Sequence, residues 1–437
     1  MSLPRIAYIL LWFPKPSETF IFREVMNLWK MDAPIKVYTL YGEIKKMLSP
    51  EMAGVSERMV RLGIPFLTRL AGDVLYWWKR DKAATKWLFN TIPVRKWRNL
   101  EYGGENIWAF LCGFTLARFF ERDGIEHIHA PWANGPATAA WVASKLTGIP
   151  FSFMGRAVDI YPPDGALKEK IRDAAFVRTN PKVNVEYLRA FWPEDPDKII
   201  LSYDPYPLEQ FREAPVPMKP PYRILALGRL DRIKGFDILL RAARTLMDMD
   251  FDFHLTIVGG GPRELQFKLL RARLGLGDRV SFPGFVTHDR VSDAFCNADV
   301  FVMSSVIHST GERDGIPNVI VEAFLHRLPI VATDVAGIGE VVRNGETGYL
   351  VPQRDAAALA LAIRKMTQDR ESALEMAARG RSLILEEFDP GKCHGELFEL
   401  FQRMTQAPRK ESSHGPAGET ARSVAAAAGG PPRVRSS

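Results

Sequence analysis

From about residue 222 onward, short apolar runs alternate with helical stretches, and this alternation limits the chain to very few folds. Arg223-Ile-Leu-Ala-Leu-Gly228 is one such run, followed by a helical pattern from Phe236 to Met247. His254-Leu-Thr-Ile-Val-Gly259 is the next, with a glycine turn and a helix at about 262–274. Arg279-Val-Ser-Phe282, Val300-Phe-Val-Met303 and Leu328-Pro-Ile-Val-Ala332 continue the series. Buried strands alternating with helices predict a parallel sheet covered on both faces. Right-handed crossovers then make it doubly wound.

The first half repeats the theme. Strands are predicted at 5–11, 35–40, 126–129, 151–153 and 175–178, with helices over 18–29 and 135–147. The expected fold class is therefore α/β, with two Rossmann-like domains. The expected organisation is a first domain over 1–205, a proline-rich linker over 206–221, and a second domain over 222–385. A helix over 386–408 can cross back to the first domain, and a disordered tail follows over 409–437. The linker is marked by Pro205, Pro207, Pro215, Pro217, Pro220 and Pro221. The tail is Ala, Gly, Pro, Ser and Arg with almost no large apolar residues, too few to order itself.

Between about 56 and 120 the pattern changes to a helical-looking stretch rich in Trp and cations, including Trp77, Trp78, Lys79, Arg80, Lys82, Lys86, Trp87, Arg95, Lys96, Trp97 and Arg98. These residues suit an anionic membrane surface, where rings sit at headgroup depth and charges meet lipid. They equally suit an amphipathic insert packed on its own domain, with the aromatics in the core.

Composition narrows the class further. The 437 residues are 46% hydrophobic and 25% charged, enough to bury an ordinary core. The formal charge of +7 is modest. Without zinc-ligand spacing or a base-stacking motif it does not point to nucleic acid. Cys112, Cys296 and Cys393 are far apart and odd in number, as for buried free thiols in a reducing cytoplasm. The N-terminal apolar run from Ile6 to Phe13 is too short to span a membrane and reads as a strand entering a proline loop.

Three segments carry chemistry. In Leu227-Gly-Arg-Leu-Asp-Arg-Ile-Lys-Gly-Phe236, a strand ends at Gly228 and places Arg229 at the carboxyl edge of the sheet, where open α/β sheets bind ligands. Lys234 follows just before a helix. Two cations there can neutralise a diphosphate, Arg as a planar fork and Lys as a point charge. In Asp314-Gly-Ile-Pro-Asn-Val-Ile-Val-Glu-Ala-Phe324, Pro317 reads as the first residue of a helix. The amides of Gly315, Ile316, Asn318 and Val319 would then face an anion at the helix tip. Glu322 would offer a carboxylate to ribose hydroxyls, and Asp314 would face the sugar. In Val258-Gly-Gly-Gly-Pro-Arg-Glu264, Gly260 sits in a glycine turn that permits close approach to backbone.

Taken in order, with Phe282-Pro-Gly-Phe285 and Thr333-Asp-Val-Ala-Gly-Ile-Gly-Glu340, this series is similar to the donor domain of the family 4 glycosyltransferases. These are retaining enzymes of GT-B architecture, in which two Rossmann-like domains face each other across a cleft. The resemblance covers about 220–370. It implies that Arg229 and Lys234 bind the donor diphosphate, Asp314 contacts the transferred sugar, and Glu322 binds the ribose. It also places Phe285 by the base. The first acidic position is usually Glu in the family and is Asp314 here. In the first half, Phe13-Pro-Lys-Pro-Ser-Glu-Thr-Phe20, His127-Ile-His-Ala-Pro-Trp132 and Phe151-Ser-Phe-Met-Gly-Arg-Ala-Val-Asp-Ile-Tyr161 resemble members that build exopolysaccharides of the colanic-acid type. The resemblance puts Ser17, Glu18, Arg156 and Asp159 on the acceptor side. Relatives usually carry His at position 156 and often at 131, where this chain has Arg156 and Pro131. Arg156 cannot act as a general base, because a guanidinium stays protonated, but it can bind an anion.

The resemblance implies a retaining, hexosyltransferase-type glycosyltransferase. Its donor substrate is a nucleotide-diphosphate sugar, its acceptor a polysaccharide or lipid-linked glycan, and it needs neither cofactor nor metal. Location in the cytoplasm, peripheral at the inner face of the membrane, would follow. Two alternatives remain on the sequence: a nucleotide-sugar-binding protein that has lost transfer, and a nucleotide-sugar epimerase of the same fold.

Overall fold

The computed structural model describes residues 3–42, 44, 48–55, 59–95, 97, 99–206, 218–286 and 288–406. Most of the proline-rich linker and the whole tail lie outside the described residues.

Apolar runs become strands and the amphipathic stretches between them become covering helices. The first domain runs β1 (Ile6–Leu10), α1 (Thr19–Lys30), β2 (Ile35–Thr39), α2 (Pro50–Ala53), β3 (Met59–Arg61), α3 (Leu67–Arg80), α4 (Lys82–Thr91) and α5 (Leu100–Asp123). It continues with β4 (His127–Ala130), α6 (Gly135–Thr147), β5 (Phe151–Gly155), α7 (Leu167–Asp173), β6 (Phe176–Thr179), α8 (Lys182–Arg189) and β7 (Ile199–Leu201). The second runs β8 (Tyr222–Leu227), α9 (Phe236–Asp248), β9 (Phe253–Val258), α10 (Glu264–Arg273), β10 (Val280–Gly284), α11 (His288–Cys296) and β11 (Val300–Met303). It closes with α12 (Asn318–Leu325), β12 (Ile330–Thr333), α13 (Ile338–Val341), β13 (Tyr349–Val351), α14 (Ala356–Gln368), α15 (Arg370–Glu387) and α16 (Pro390–Gln406).

Both sheets are parallel throughout, ordered β3-β2-β1-β4-β5-β6-β7 and β10-β9-β8-β11-β12-β13. This is the doubly wound arrangement that the alternation predicts. The order reverses at β1 and at β8, so each sheet opens a crevice at its carboxyl edge there.

Each sheet is buried on both faces. In the first domain, α5 and α6 cover one face with Phe110, Phe114, Phe120 and Trp141. On the other, α1 packs beside α16, whose Leu397, Leu400 and Phe401 join a cluster with Tyr8, Phe22 and Phe176. The chain's last described helix therefore completes the first domain.

Residues 56–120 differ from the helical insert expected of them. The stretch contains the edge strand β3, and α5 is a core layer rather than an addition. Trp77 is buried, with its indole N–H donating to the Phe114 carbonyl at 3.0 Å. The three cysteines are free, and Cys112 and Cys393 are buried. Among the described residues, no helix is long and apolar enough to cross a membrane.

The covered face of the first sheet hides a polar layer. His127 Nε2 and His129 Nδ1 share the Ser152 hydroxyl at 2.7 and 2.8 Å, and wholly buried Arg178 donates to Glu24 at 3.0 Å. Burial pushes the His127 imidazole down to about 3 from an ordinary 6.5. The unfolded chain takes up that proton near pH 6.5, and the folded chain refuses it until about pH 3. The stability conferred by neutral His127 is thus complete above the upper value and lost as pH falls through the window. At about pH 5 the loss is about 2 kcal/mol. Urea melts should show His127→Phe losing about that much less stability than the parent between about pH 7 and pH 5.

Candidate active site between the two sheets

The loop after β8 carries Gly228, Arg229 and Lys234 and is clamped from both sides. Leu230 N–H donates to the Gly260 carbonyl at 2.9 Å, tying it to the glycine turn after β9. Val306 N–H donates to the Ile233 carbonyl at 2.8 Å, and Ser304 Oγ donates to the Lys234 carbonyl at 2.9 Å, tying it to the end of β11. Two glycines make this closeness possible. A Cβ on Gly259 would lie 1.9 Å from the Gly228 carbonyl oxygen, and one on Gly235 equally close to that of Ser304. Gly260 is different: its Cβ would meet only Phe285, at 3.7 Å. The two residues expected near the donor are thus neighbours, and Phe285 is exposed.

The clamp leaves the two cations in different states. Lys234 Nζ donates to Asp314 Oδ1 at 2.7 Å, with both side chains largely buried. Ser305 Oγ donates to the other Asp314 oxygen at 2.5 Å. Arg229 is 72% exposed, and the nearest carboxylate is Asp231 at 3.7 Å. The basic pair expected from the sequence is therefore one cation already matched and one facing solvent.

Helix α12 begins one residue later than expected. Pro317 is its N-cap, with an extended backbone (ψ 128°), and Asn318 is the first helical residue. The reason is geometric: Pro317 donates nothing, and its carbonyl accepts from Ile320 N–H at 2.9 Å, closing the first turn. Gly315, Ile316, Asn318 and Val319 still bracket the tip. A Cβ on Gly315 would touch Pro181 and Ala157 of the first domain at 3.4 and 3.8 Å, so that domain roofs the tip. Glu322 lies within α12, buried, with Arg23 of α1 at 3.9 Å. Burial pushes its carboxyl up to about 7, against the pull of Arg23.

On the facing side, the loops after β1, β4 and β5 meet. Asp159 is buried and accepts from Ala133 N–H at 2.7 Å and Arg156 N–H at 2.8 Å, which fastens two loops together. Burial raises its carboxyl to about 6. Wholly buried Lys170 holds the same region by donating to the carbonyls of Ala133 (2.8 Å) and Asn134 (3.2 Å) and to Asp164 (2.6 Å). A buried ammonium is tolerable with all three donors engaged. Arg156, expected to be able to take an anion, pairs instead with Asp204. Its guanidinium lies over Phe20 at 4.3 Å and Trp132 at 5.5 Å. Glu18 accepts from Lys15 at 2.5 Å and from the Trp132 indole at 3.3 Å. Ser17 is exposed.

A cavity of about 800 Å³ separates the two walls. The first domain lines it with Trp12, Glu18, Tyr102, Glu105, Trp132 and Asp159, the second with Arg229, Asp231, Arg232, Arg263 and Glu312.

The second wall matches a known family. Residues 221–369 fit the model described as glycosyl transferases group 1. That segment belongs to the group 1 glycosyl transferases. Curated proteins similar to the chain include the putative colanic acid biosynthesis glycosyltransferase WcaL of Escherichia coli (strain K12). It is 32% identical over 201 residues, 45% of this chain and 50% of that protein. The amylovoran biosynthesis glycosyltransferase AmsK of Erwinia amylovora is 30% identical over 184 residues, 42% of this chain and 45% of that one. The matched segments thus span about half the length of these relatives. Among solved structures, sucrose-phosphate synthase from Thermosynechococcus elongatus superposes with a TM-score of 0.68 at 20% identity, covering 92% of this chain and 99% of that one. Anabaena HepE in complex with UDP and glucose gives 0.66 at 16%, covering 91% and 99%. The architecture is GT-B.

Several cavity residues of this GT-B fold escaped the sequence reading. Glu105 lies in α5, which carries no motif, yet it accepts from Gly135 N–H at 2.9 Å and so caps α6 from outside that helix. Trp12 adjoins the first-half motif and stacks on Tyr41 at 4.4 Å. Arg232 and Glu312 pair with each other across the loops.

The glycosyl transferase segment also grips the first domain. α8 has Pro181 as its N-cap, with no side-chain cap of its own. Glu340 of α13 supplies one, accepting from Lys182 N–H at 2.7 Å and from the Tyr203 hydroxyl at 2.9 Å. Beside it, Gly337 leaves room for Pro181, since a Cβ there would lie 2.1 Å from the proline ring. Glu340→Ala should destabilise the chain by about 1 kcal/mol, the worth of a lost cap, in chemical denaturation. Glu340→Gln keeps an acceptor oxygen and should lose less.

Glu322 yields a second test. A ligand hydroxyl that donates to it binds the ionised form more strongly. If the ribose hydroxyls expected from the sequence are that ligand, nucleotide affinity measured calorimetrically should rise, by about tenfold per pH unit at most, as pH climbs towards about 7, and level off above. Glu322→Gln should flatten the profile. The stability linkage has the opposite sign. The raised carboxyl favours the folded state most below its ordinary 4.5, and that contribution is lost as pH rises through about 7.

Proposed function

We propose that this chain transfers a sugar, with retention at the anomeric carbon, from a nucleotide-diphosphate sugar to a polysaccharide or lipid-linked glycan. The observation that carries the reading is the placement of Lys234, Asp314 and Ser305 beside the tip of α12, with exposed Arg229 at the cavity wall.

The donor diphosphate lies at the α12 tip, where the first-turn amides and helix dipole favour an anion. Lys234 has three N–H donors, and Asp314 uses one at 2.7 Å. Arg229 is free to fold over the diphosphate. Glu322 takes the ribose hydroxyls and Phe285 lies by the base. The acceptor enters from the Trp12–Glu18–Trp132 wall.

An acceptor hydroxyl oxygen then attacks the anomeric carbon from the face the diphosphate leaves. The bond from that carbon to the phosphate oxygen breaks, its electron pair goes to the phosphate, and the leaving oxygen takes the acceptor proton. No enzymatic nucleophile, cofactor or metal is assigned. The chain's contribution is to position the two substrates and to stabilise charge on the leaving group through Arg229 and Lys234. The names of similar proteins support a nucleotide-sugar donor: HepE is seen with UDP and glucose, and a Mycobacterium tuberculosis relative is named as a GDP-mannose-dependent mannosyltransferase. WcaL and AmsK, named for colanic acid and amylovoran biosynthesis, support an envelope glycan as acceptor. The reading places the protein in the cytoplasm, at the inner face of the membrane.

The test is donor turnover and affinity in Arg229→Ala and Lys234→Ala, with UDP- and GDP-sugars as probes. Removing a donor to the developing charge should lower turnover by about 10²–10³-fold. Full affinity and turnover in both variants would falsify the assignment. NMR of the product's anomeric carbon tests retention. Conversion of the donor sugar without any acceptor would identify an epimerase instead.

A further inference from the structure

Residues 61–98 hold nine lysines and arginines against two carboxylates, Asp73 and Asp81, a surplus equal to the whole chain's +7. Asp73 is buried between the Thr115 hydroxyl at 2.7 Å and Arg118 at 2.5 Å, and Asp81 caps α4 through Ala84 N–H at 2.8 Å. Lys79, Lys82 and Lys86 are exposed, and none has an ion-pair partner among the described residues.

The inner face of α3 is fixed by buried Leu70, Asp73 and Trp77. Its outer face is apolar where a water-facing helix is ordinarily polar. Leu67, Ala71, Leu75 and Trp78 fall within an arc of about 80° at 100° per residue. Leu67 is 49% exposed, Leu75 52% and Trp78 38%. Lys79 flanks this ridge, and the Lys82 ammonium lies 5.6 Å from the Trp78 ring centroid. An apolar ridge bordered by unmatched cations is complementary to a surface that is both apolar and anionic. A bilayer offers both at adjoining depths, headgroup phosphates above and acyl chains below. A protein partner would need an acidic rim around an apolar strip of matching shape.

We propose that the outer face of α3 and α4 docks on an anionic phospholipid bilayer. Leu67, Leu75 and Trp78 enter the headgroup boundary, and Lys79, Lys82 and Lys86 meet lipid phosphates. Eight residues beyond α4, Asn99 begins the Asn99–Tyr102 rim of the cavity. The proposal rests on this surface alone and stands or falls independently of sugar transfer.

The experiment is flotation of the full chain, without donor or acceptor, on vesicles of phosphatidylcholine with and without phosphatidylglycerol, at low and high salt. The expected result is binding to the anionic vesicles alone, weakened by salt. Each lysine replaced by Gln should cost about fivefold in affinity, and the triple variant about a hundredfold. Leu75→Glu with Trp78→Glu should abolish binding. Because these side chains are exposed, the variants should keep the parent's melting temperature. If the double variant does not fold, the lysine triple carries the test. Equal binding to neutral vesicles, unchanged binding by the triple variant, or no binding to either vesicle overturns the proposal. Self-association in sedimentation that the same variants remove, in place of vesicle binding, overturns it in favour of a protein contact.

Discussion

The pairing of Lys234 with Asp314 joins the two segments on which the second domain's chemistry depends. One comes from the loop after β8, the other from the segment before α12, and the 2.7 Å contact sets how far apart those segments can lie. The surrounding backbone makes the contact obligatory. Gly235 lets the lysine loop lie against the end of β11, and the Ser304 and Val306 bonds hold it there. A partly buried pair gains little net stability, because desolvation offsets attraction. Its value is in placement: an ammonium held beside a helix tip needs no reorganisation when an anion arrives.

The second constraint is the grip between the domains. Glu340 satisfies amides of α8 that Pro181 leaves without a side-chain cap, and Pro181 in turn fills the space left by Gly337 and touches Gly315. A helix end in one domain is thus completed by the other, so separation exposes unsatisfied donors as well as apolar surface. The same contact brings Ala157 of the first domain to the tip of α12. The wall that faces the cavity is in this way positioned by a capping interaction remote from it.

Much of the fold was legible because parallel strands buried on both faces read as unbroken apolar runs. β11 and β12 are such runs, β8 is one apart from its first two residues, and β9 alternates with half-buried His254 and Thr256; each was placed to within two residues. β3, β7 and β13 were missed. Each has three residues, two or more of them only half-buried, so their composition carries no signal against the neighbouring loops. The Trp-rich stretch misled for a related reason: an amphipathic helix looks the same whether its aromatic face meets a sheet or something outside. Only contact partners separate buried Trp77 from exposed Trp78. In the site, residues fixed by local backbone geometry were readable, such as the glycines and the proline before α12, although Pro317 caps that helix rather than opening it. Residues placed by long-range contact were not. Glu105 and Lys170 act on backbone 30 and 36 residues away and nothing local marks them, while Glu340 closes a sequence motif but its partner lies 158 residues away.

The charge pattern of the cleft bears on how it takes an anionic ligand. Arg156 is matched by Asp204, Arg232 by Glu312, Lys234 by Asp314 and Arg23 by Glu322, whereas Arg229 is largely exposed. Before a ligand binds, the matched cations therefore already face carboxylates, which avoids the cost of holding them unpaired at low dielectric. A diphosphate reverses the balance. It supplies negative charge that Arg229 can meet directly, and it competes with Asp314 for Lys234. Asp314 is not stranded by that competition, because Ser305 already donates to its other oxygen. The short aspartate is held back by its hydroxyl partner while the lysine, with donors to spare, can serve both anions. The shorter acid at position 314 thus meets the serine and the lysine with one oxygen each.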